Sequence, residues 1–168
     1  MNLFIRCLRI ILMARLGTKR AFTEDFTSHF MVGLHDLGWR DHLPNYRFLS
    51  FMELGAFHFF HGARLALSGK YSSRMIAAQE VIYLQPIRPF QKIEMTTRLI
   101  GWDEKYLYFQ HDFRVNGKLK AVGLVKEICL KGGKKVSSQE LLGQEEKRSP
   151  VIDSWLANHQ QVRDSYNK

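Results

Sequence analysis

Residues 46–67 constrain the fold more than any other stretch. They run for about six helical turns with almost no charge, and Phe48, Leu49, Met52, Phe59, Phe60, Ala63 and Leu67 recur at helical spacing. A helix that is apolar nearly all round has to be covered on more than one side. The rest of the chain must therefore wrap it. Gly55 and Gly62, seven apart, fall on about the same face. Glycine inside a helix costs about 1 kcal/mol, and close approach by the backbone of a neighbouring strand is the expected reason for both. Ser68-Gly69-Lys70 is the expected helix end.

Sheet follows the helix. Residues 74–83 read as a strand, after which Pro86 and Pro89 force a bend or an edge. Residues 92–100 alternate, with Ile93, Met95, Thr97 and Leu99 on one face. Residues 106–115 place Leu107, Phe109, His111, Phe113 and Val115 on one side, Asn116-Gly117 fits a type I′ hairpin turn, and residues 119–130 return. Residues 27–34 supply one strand ahead of the helix. The expected order is strand, long helix, then a meander of four strands. That is α+β, one antiparallel sheet wrapped around one long central helix. Residues 1–20 form a basic amphipathic segment and residues 21–138 the domain itself. Residues 139–168 are expected to be a charged, mobile linker and a short C-terminal helix over 152–162.

In residues 3–16, Phe4, Leu8, Ile11 and Leu12 share one side of a helix, while Arg6 and Arg9 mark a narrow polar wedge. The apolar run 10–14 is far below the roughly 18 residues that a spanning helix needs. No small-residue cleavage site follows, which argues against a secretory signal. Two readings stand: a helix laid across the outside of the fold or of a dimer, or a basic amphipathic helix in which residues 1–17 make a peripheral membrane contact. Cys7 and Cys129 lie far apart in apolar runs without metal-ligand spacing, as expected of reduced, buried thiols in a cytoplasmic protein. The net charge of +9 favours polyanions: nucleic acid, anionic lipid or a phosphate-bearing molecule such as coenzyme A. Nucleic acid is disfavoured, since no recognition helix, zinc motif or aromatic single-strand platform is visible.

The loop before the long helix reads Asp36-Leu37-Gly38-Trp39-Arg40-Asp41-His42-Leu43-Pro44-Asn45. It resembles the D-x-D-x-x-x-H-x-N-N pattern that hotdog-fold acyl-CoA thioesterases, including the 4-hydroxybenzoyl-CoA thioesterase-like branch, carry before their central helix. Glu53 ahead of Leu54-Gly55, and the stretch VIYLQPIRPFQKIEMTTRLIGWDEKYLYF over 81–109, are similar to the same family. The resemblance covers residues 30–130. It implies a hotdog fold and hydrolysis of an acyl-CoA or acyl carrier protein thioester. It also implies a homodimer or tetramer with sites at the subunit interface, and no cofactor beyond the coenzyme A carried by the substrate. Asp36, His42 and Asn45 match the pattern. The second aspartate, the nucleophile or general base of the best-studied branch, is Gly38 here, and the first paired asparagine is Pro44.

Thioester hydrolysis needs a group that activates water and donors for the oxyanion. Backbone N–H groups at the helix start, near Asn45 and Tyr46, supply the donors and the substrate contact. Three carboxylates compete for the base: Asp41 beside His42, Glu53 if burial raises its pKa, and Asp36. Each has a structural alternative: Asp41 as a helix cap, Glu53 as partner to an arginine or a backbone donor, Asp36 in an Asx-turn. His42 either orients substrate or holds the loop together. His58, His61 and His111 read as packing residues, and no metal site is expected. Arg88, Lys92 and Arg98 are candidates for the coenzyme A phosphates, against the alternative that they are solvated. Gly38 and Pro44 keep open a catalytically degenerate hotdog protein that binds acyl chains or a protein partner. A hydratase or dehydratase on the same fold is a third reading, without the usual histidine-led signature.

Overall fold

The computed structural model describes residues 3–166. Helix α1 (Leu3–Leu16) leads to strand β1 (Phe26–Met31), a four-residue helix α2 (Leu34–Leu37) and the long helix α3 (Asn45–Gly62). Strands β2 (Ser73–Tyr83), β3 (Lys92–Trp102), β4 (Leu107–Val115), β5 (Lys118–Lys131) and the two-residue β6 (Lys134–Lys135) follow, then helices α4 (Ser138–Leu142) and α5 (Pro150–Tyr166). The long helix stops short of the expected Ser68-Gly69. Arg64 takes a left-handed conformation (φ 61°), which no α-helix continues through, and residues 65–67 form only a 3-10 turn.

The sheet is antiparallel throughout, in the order β1-β3-β4-β5-β2, with β6 beside the end of β5. Only β3, β4 and β5 form the expected meander. Strand β2 crosses to the far edge and pairs with β5. The connection over residues 84–91, containing Pro86 and Pro89, passes the start of α3, where Leu43 N–H donates to Ile87 O at 2.8 Å. This crossing brings the end of β2 to the loop that precedes the helix.

Alternation along the strands gives the sheet two faces. One side of β3, β4 and β5 packs on α3: Phe109 meets Phe59 with ring centroids 4.9 Å apart, and Phe113 meets Phe48 at 5.1 Å. The sheet curls around this helix as a half-barrel, the hotdog arrangement. The opposite side carries Tyr108 and Leu124 and is covered by Ile152 and Trp155 of α5, with Trp155 Nε1 donating to Glu80 at 2.7 Å. Gly55 and Gly62 make room for side chains rather than for a strand backbone: a Cβ on Gly55 would run into Met95, Thr97 and His111, and one on Gly62 into the Phe26 ring. The charged segment 139–149 holds most of the short helix α4 and is bonded to the end of β3. Trp102 donates its indole N–H to Glu145 O and exchanges backbone bonds of 2.7 and 2.9 Å with Lys147.

Helix α1 is laid across α3 with its apolar arc turned away from the fold. Arg6, Ile10 and Ala14 are buried, while Phe4, Leu8 and Leu12 point outward. Of the polar wedge, Arg6 faces in because it has a buried carboxylate to meet, and Arg9 stays exposed. Cys129 is buried and Cys7 half-buried, and both are free thiols. No helix is long and apolar enough to cross a membrane among the described residues.

Candidate functional site

The loop between β1 and α3 is fixed by Asp36. Its carboxylate is 1% exposed and accepts from Arg6 Nη1 at 2.8 Å, Arg6 Nη2 at 2.7 Å and Gly33 N–H at 2.9 Å. Burial pushes this carboxyl up, but the Arg6 and Gly33 hydrogen bonds outweigh it and hold it below the usual carboxylate range. Asp36 therefore ties α1, the loop and the end of β1 together, with Arg6 Nη2 also donating to Met31 O at 2.9 Å. Asp36 thus serves as a buried partner to Arg6. Gly38 follows at φ 61°, ψ −115°, a conformation open to glycine and strained for aspartate.

The start of α3 lies beyond the loop. Pro44 is the N-cap residue, extended at φ −67°, ψ 151°, and no side chain caps this end. Asparagine there could accept from the helix's own N–H groups; proline cannot. The first N–H groups of the helix, at Asn45 and Tyr46, have no intrahelical carbonyl to bond. Beside this helix start lies a groove of about 220 Å³ lined by His42, Leu43, Asn45, Phe48, Tyr83 and Leu84 among others. His42 Nδ1 lies 2.6 Å from Asp41 Oδ1, and Asp41 is 81% exposed. That hydrogen bond holds the Asp41 carboxyl below the usual range. Tyr83, from the end of β2, donates to Asn45 O at 3.4 Å and stacks edge-on against Phe48. Sequence reading missed Tyr83, because only the crossing of β2 to the sheet edge brings it to this helix start.

Glu53 is elsewhere. It lies eight residues along α3, roughly 12 Å of helix rise from Asn45. It is 40% exposed rather than buried and pairs with Arg74 Nη2 at 3.0 Å. Arg74 also donates to the buried Glu127 at 2.8 Å and packs over the rings of Phe57 and Phe60. Burial works against the Arg74 charge, but the two carboxylates outweigh it and keep the guanidinium protonated. The structure thus puts His42 and Asn45 on one groove, with Asp41 bonded to His42 and Tyr46 next to Asn45 in the helix, and pairs Asp36 and Glu53 each with an arginine.

The three phosphate candidates also separate. Arg88 is exposed in the 84–91 connection, near enough that its charge helps lower Asp41. Lys92 opens β3 and is exposed, in register with Met31. Arg98 is bonded to two carboxylates, Asp25 at 2.8 Å and Asp112 at 2.7 Å. Two of the packing histidines are bonded within the fold, His58 Nδ1 to Ser28 Oγ at 2.8 Å and the buried His111 to Thr97 Oγ1 at 3.0 Å, while His61 stacks on Phe57. Among the described residues no cluster of three or more His, Cys, Asp or Glu side chains could hold a metal ion.

Residues 32–159 match the Thioesterase-like superfamily. That is a broader class than the 4-hydroxybenzoyl-CoA branch which the loop resembles. Protein THEM6 of Drosophila melanogaster is 29% identical over 137 residues, covering 75% of this chain and 68% of that protein. In the Danio rerio and Xenopus laevis proteins of the same name the match covers 54% and 55% of their length, so this chain spans about half of those relatives. A thioesterase from Thermus thermophilus, solved in complex with coenzyme A and Zn, superposes with a TM-score of 0.54. It is 26% identical, over 70% of this chain and 95% of that one. A gentisyl-coenzyme A thioesterase superposes with a TM-score of 0.62 over 70% of this chain and 96% of its own, at 16% identity, a likeness of fold. The fold, the loop and the superfamily match over most of the chain agree: this chain belongs to the thioesterase-like superfamily.

Proposed function

We propose that this chain hydrolyses acyl-CoA thioesters in the groove at the start of α3. The observation that carries the reading is the uncapped helix start at a groove lined by both Asn45 and His42, with His42 bonded to Asp41. With Nδ1–H donated to Asp41, the ring of His42 keeps Nε2 as its basic nitrogen. His42 takes a proton from water as the water oxygen attacks the thioester carbon. The carbonyl electrons move onto oxygen, and the N–H groups of Asn45 and Tyr46, with the positive end of the α3 dipole, stabilise that charge. Collapse breaks the C–S bond, and His42 returns the proton to the thiolate of coenzyme A. Asp41 orients the imidazole rather than acting on water itself, a sharper role than that of direct base. Arg88, beside the loop, is placed to meet a phosphate of the coenzyme. A free-thiol assay over acyl-CoAs of increasing chain length, on the wild type and His42→Ala, tests this reading.

The working unit in this reading is a homodimer joined along β2. That strand is an open sheet edge with Met75, Ile76, Ile82 and Leu84 exposed near it, a pattern that solvent does not favour at an unpaired edge. Pairing there would place the Tyr83 end of each groove near the partner. Light scattering gives the mass directly. Gly38 supports a second reading, a protein that binds acyl-CoA without turning it over, because the backbone itself excludes the family's usual aspartate. Saturable binding with no thiol released would favour it.

A further inference from the structure

Helix α1 shows its apolar side to the outside. Ile5, Leu8, Leu12 and Leu16 are between 52% and 80% exposed, on the side opposite the buried Arg6, Ile10 and Ala14. The ion pair of Arg6 with Asp36 fastens the helix to the fold from behind, so this face is presented rigidly. Arg9 and Arg15 are exposed and border the apolar stripe, and α1 contains no acidic residue. Arg64 adds charge beyond the C-terminal end of the helix, donating to Arg15 O at 2.9 Å and Gly17 O at 2.7 Å. An apolar stripe between cations is the pattern of a helix that lies in the plane of a bilayer surface, its apolar side among the acyl chains and its cations at the headgroups. At 14 residues the helix is about 21 Å long and lies along the surface rather than through it.

We propose that α1 docks the protein on an anionic lipid surface through Ile5, Leu8, Leu12 and Leu16, with Arg9 and Arg15 at the headgroups. Charge complementarity selects this occupant over a second copy of the chain. A two-fold pairing of α1 with itself would bring the arginine borders of both copies together without any carboxylate of the helix to offset them. The inference does not depend on the thioesterase reading, and thiol release from soluble acyl-CoA plays no part in its test.

The test is co-sedimentation of the full chain with vesicles of phosphatidylcholine containing phosphatidylserine, against vesicles of phosphatidylcholine alone. The wild type is expected to pellet with the anionic vesicles and at least about tenfold less with the neutral ones. Raising salt from about 0.1 M to about 1 M shortens the Debye length from about 10 Å to about 3 Å and should release most of it. Leu8→Ser with Leu12→Ser should weaken binding about tenfold or more while the thermal midpoint stays put, since both side chains face outward. Arg9→Gln with Arg15→Gln should give a loss of similar size on anionic vesicles and none on neutral ones. Absence of wild-type binding overturns the proposal. So does binding that ignores lipid charge and salt, or a self-association by light scattering that Leu8→Ser with Leu12→Ser abolishes.

Discussion

Arg6 and Asp36 meet through two parallel hydrogen bonds of 2.8 and 2.7 Å, with both side chains almost fully buried. This pair determines which way α1 faces, and it closes the loop that carries the candidate site. Removing one partner leaves an uncompensated buried charge, a loss of about 3–5 kcal/mol. Arg6→Met or Asp36→Asn should lower the urea midpoint accordingly, and Arg6→Met with Asp36→Leu should recover part of it. The sign with pH is fixed by the lowered Asp36 carboxyl. Its contribution is full above the ordinary carboxylate range and is lost as pH falls through the lower folded value.

His111 gives a second dependence on acidity. Burial pushes its pKa down to about 3, so the folded protein keeps the ring neutral while the unfolded chain protonates near pH 6.5. Stability from this group is present above about pH 6.5 and falls as pH drops from there towards about 3. Between pH 6.5 and 5 the loss is about 2 kcal/mol. Denaturant melts at a series of pH values should show this slope, and His111→Gln should flatten it.

Gly55→Ala should destabilise the protein. In an open helix this change gains up to about 1 kcal/mol. Here the new methyl meets Met95 and His111 in a full core, and overpacking costs about 1–3 kcal/mol. A thermal midpoint lowered by a few degrees is the expected result. An unchanged or raised midpoint would mean that the helix does not sit against β3 and β4 as described.

Restoring the family's aspartate should not restore a nucleophile. Gly38→Asp places a side chain at φ 61°, ψ −115°, a strain on the order of 1–3 kcal/mol. Lower stability with no gain in kcat/KM is expected.

The period of the hydrophobic pattern made the long helix and the main strands readable from sequence, since each of those is a local property, and the hotdog class came from the resemblance of the loop and strands to a known family. Orientation and order were not local. The helical wheel of α1 showed an apolar arc, but its facing was decided by Asp36, thirty residues away. The place of β2 at the far edge depends on a crossing that alternation along a single strand does not report, and Tyr83 was hidden with it. His42 and Asn45 were legible as candidates from the loop pattern, and both line one groove in the structure. The surroundings of the carboxylates were not: Asp36 and Glu53 are as acidic in sequence as Asp41, and their arginine partners, Arg6 and Arg74, come from distant parts of the chain.

The rate of thiol release from acyl-CoA by His42→Ala, measured beside the wild type, tests the central claim most directly. The proposed mechanism predicts turnover by the wild type and a loss of about 10²–10⁴ in kcat for the variant. The variant should keep its thermal midpoint and still bind acyl-CoA, with Asp41→Asn impaired in the same direction. A His42→Ala protein with the wild-type rate, or a wild type that binds acyl-CoA without releasing thiol, would contradict it.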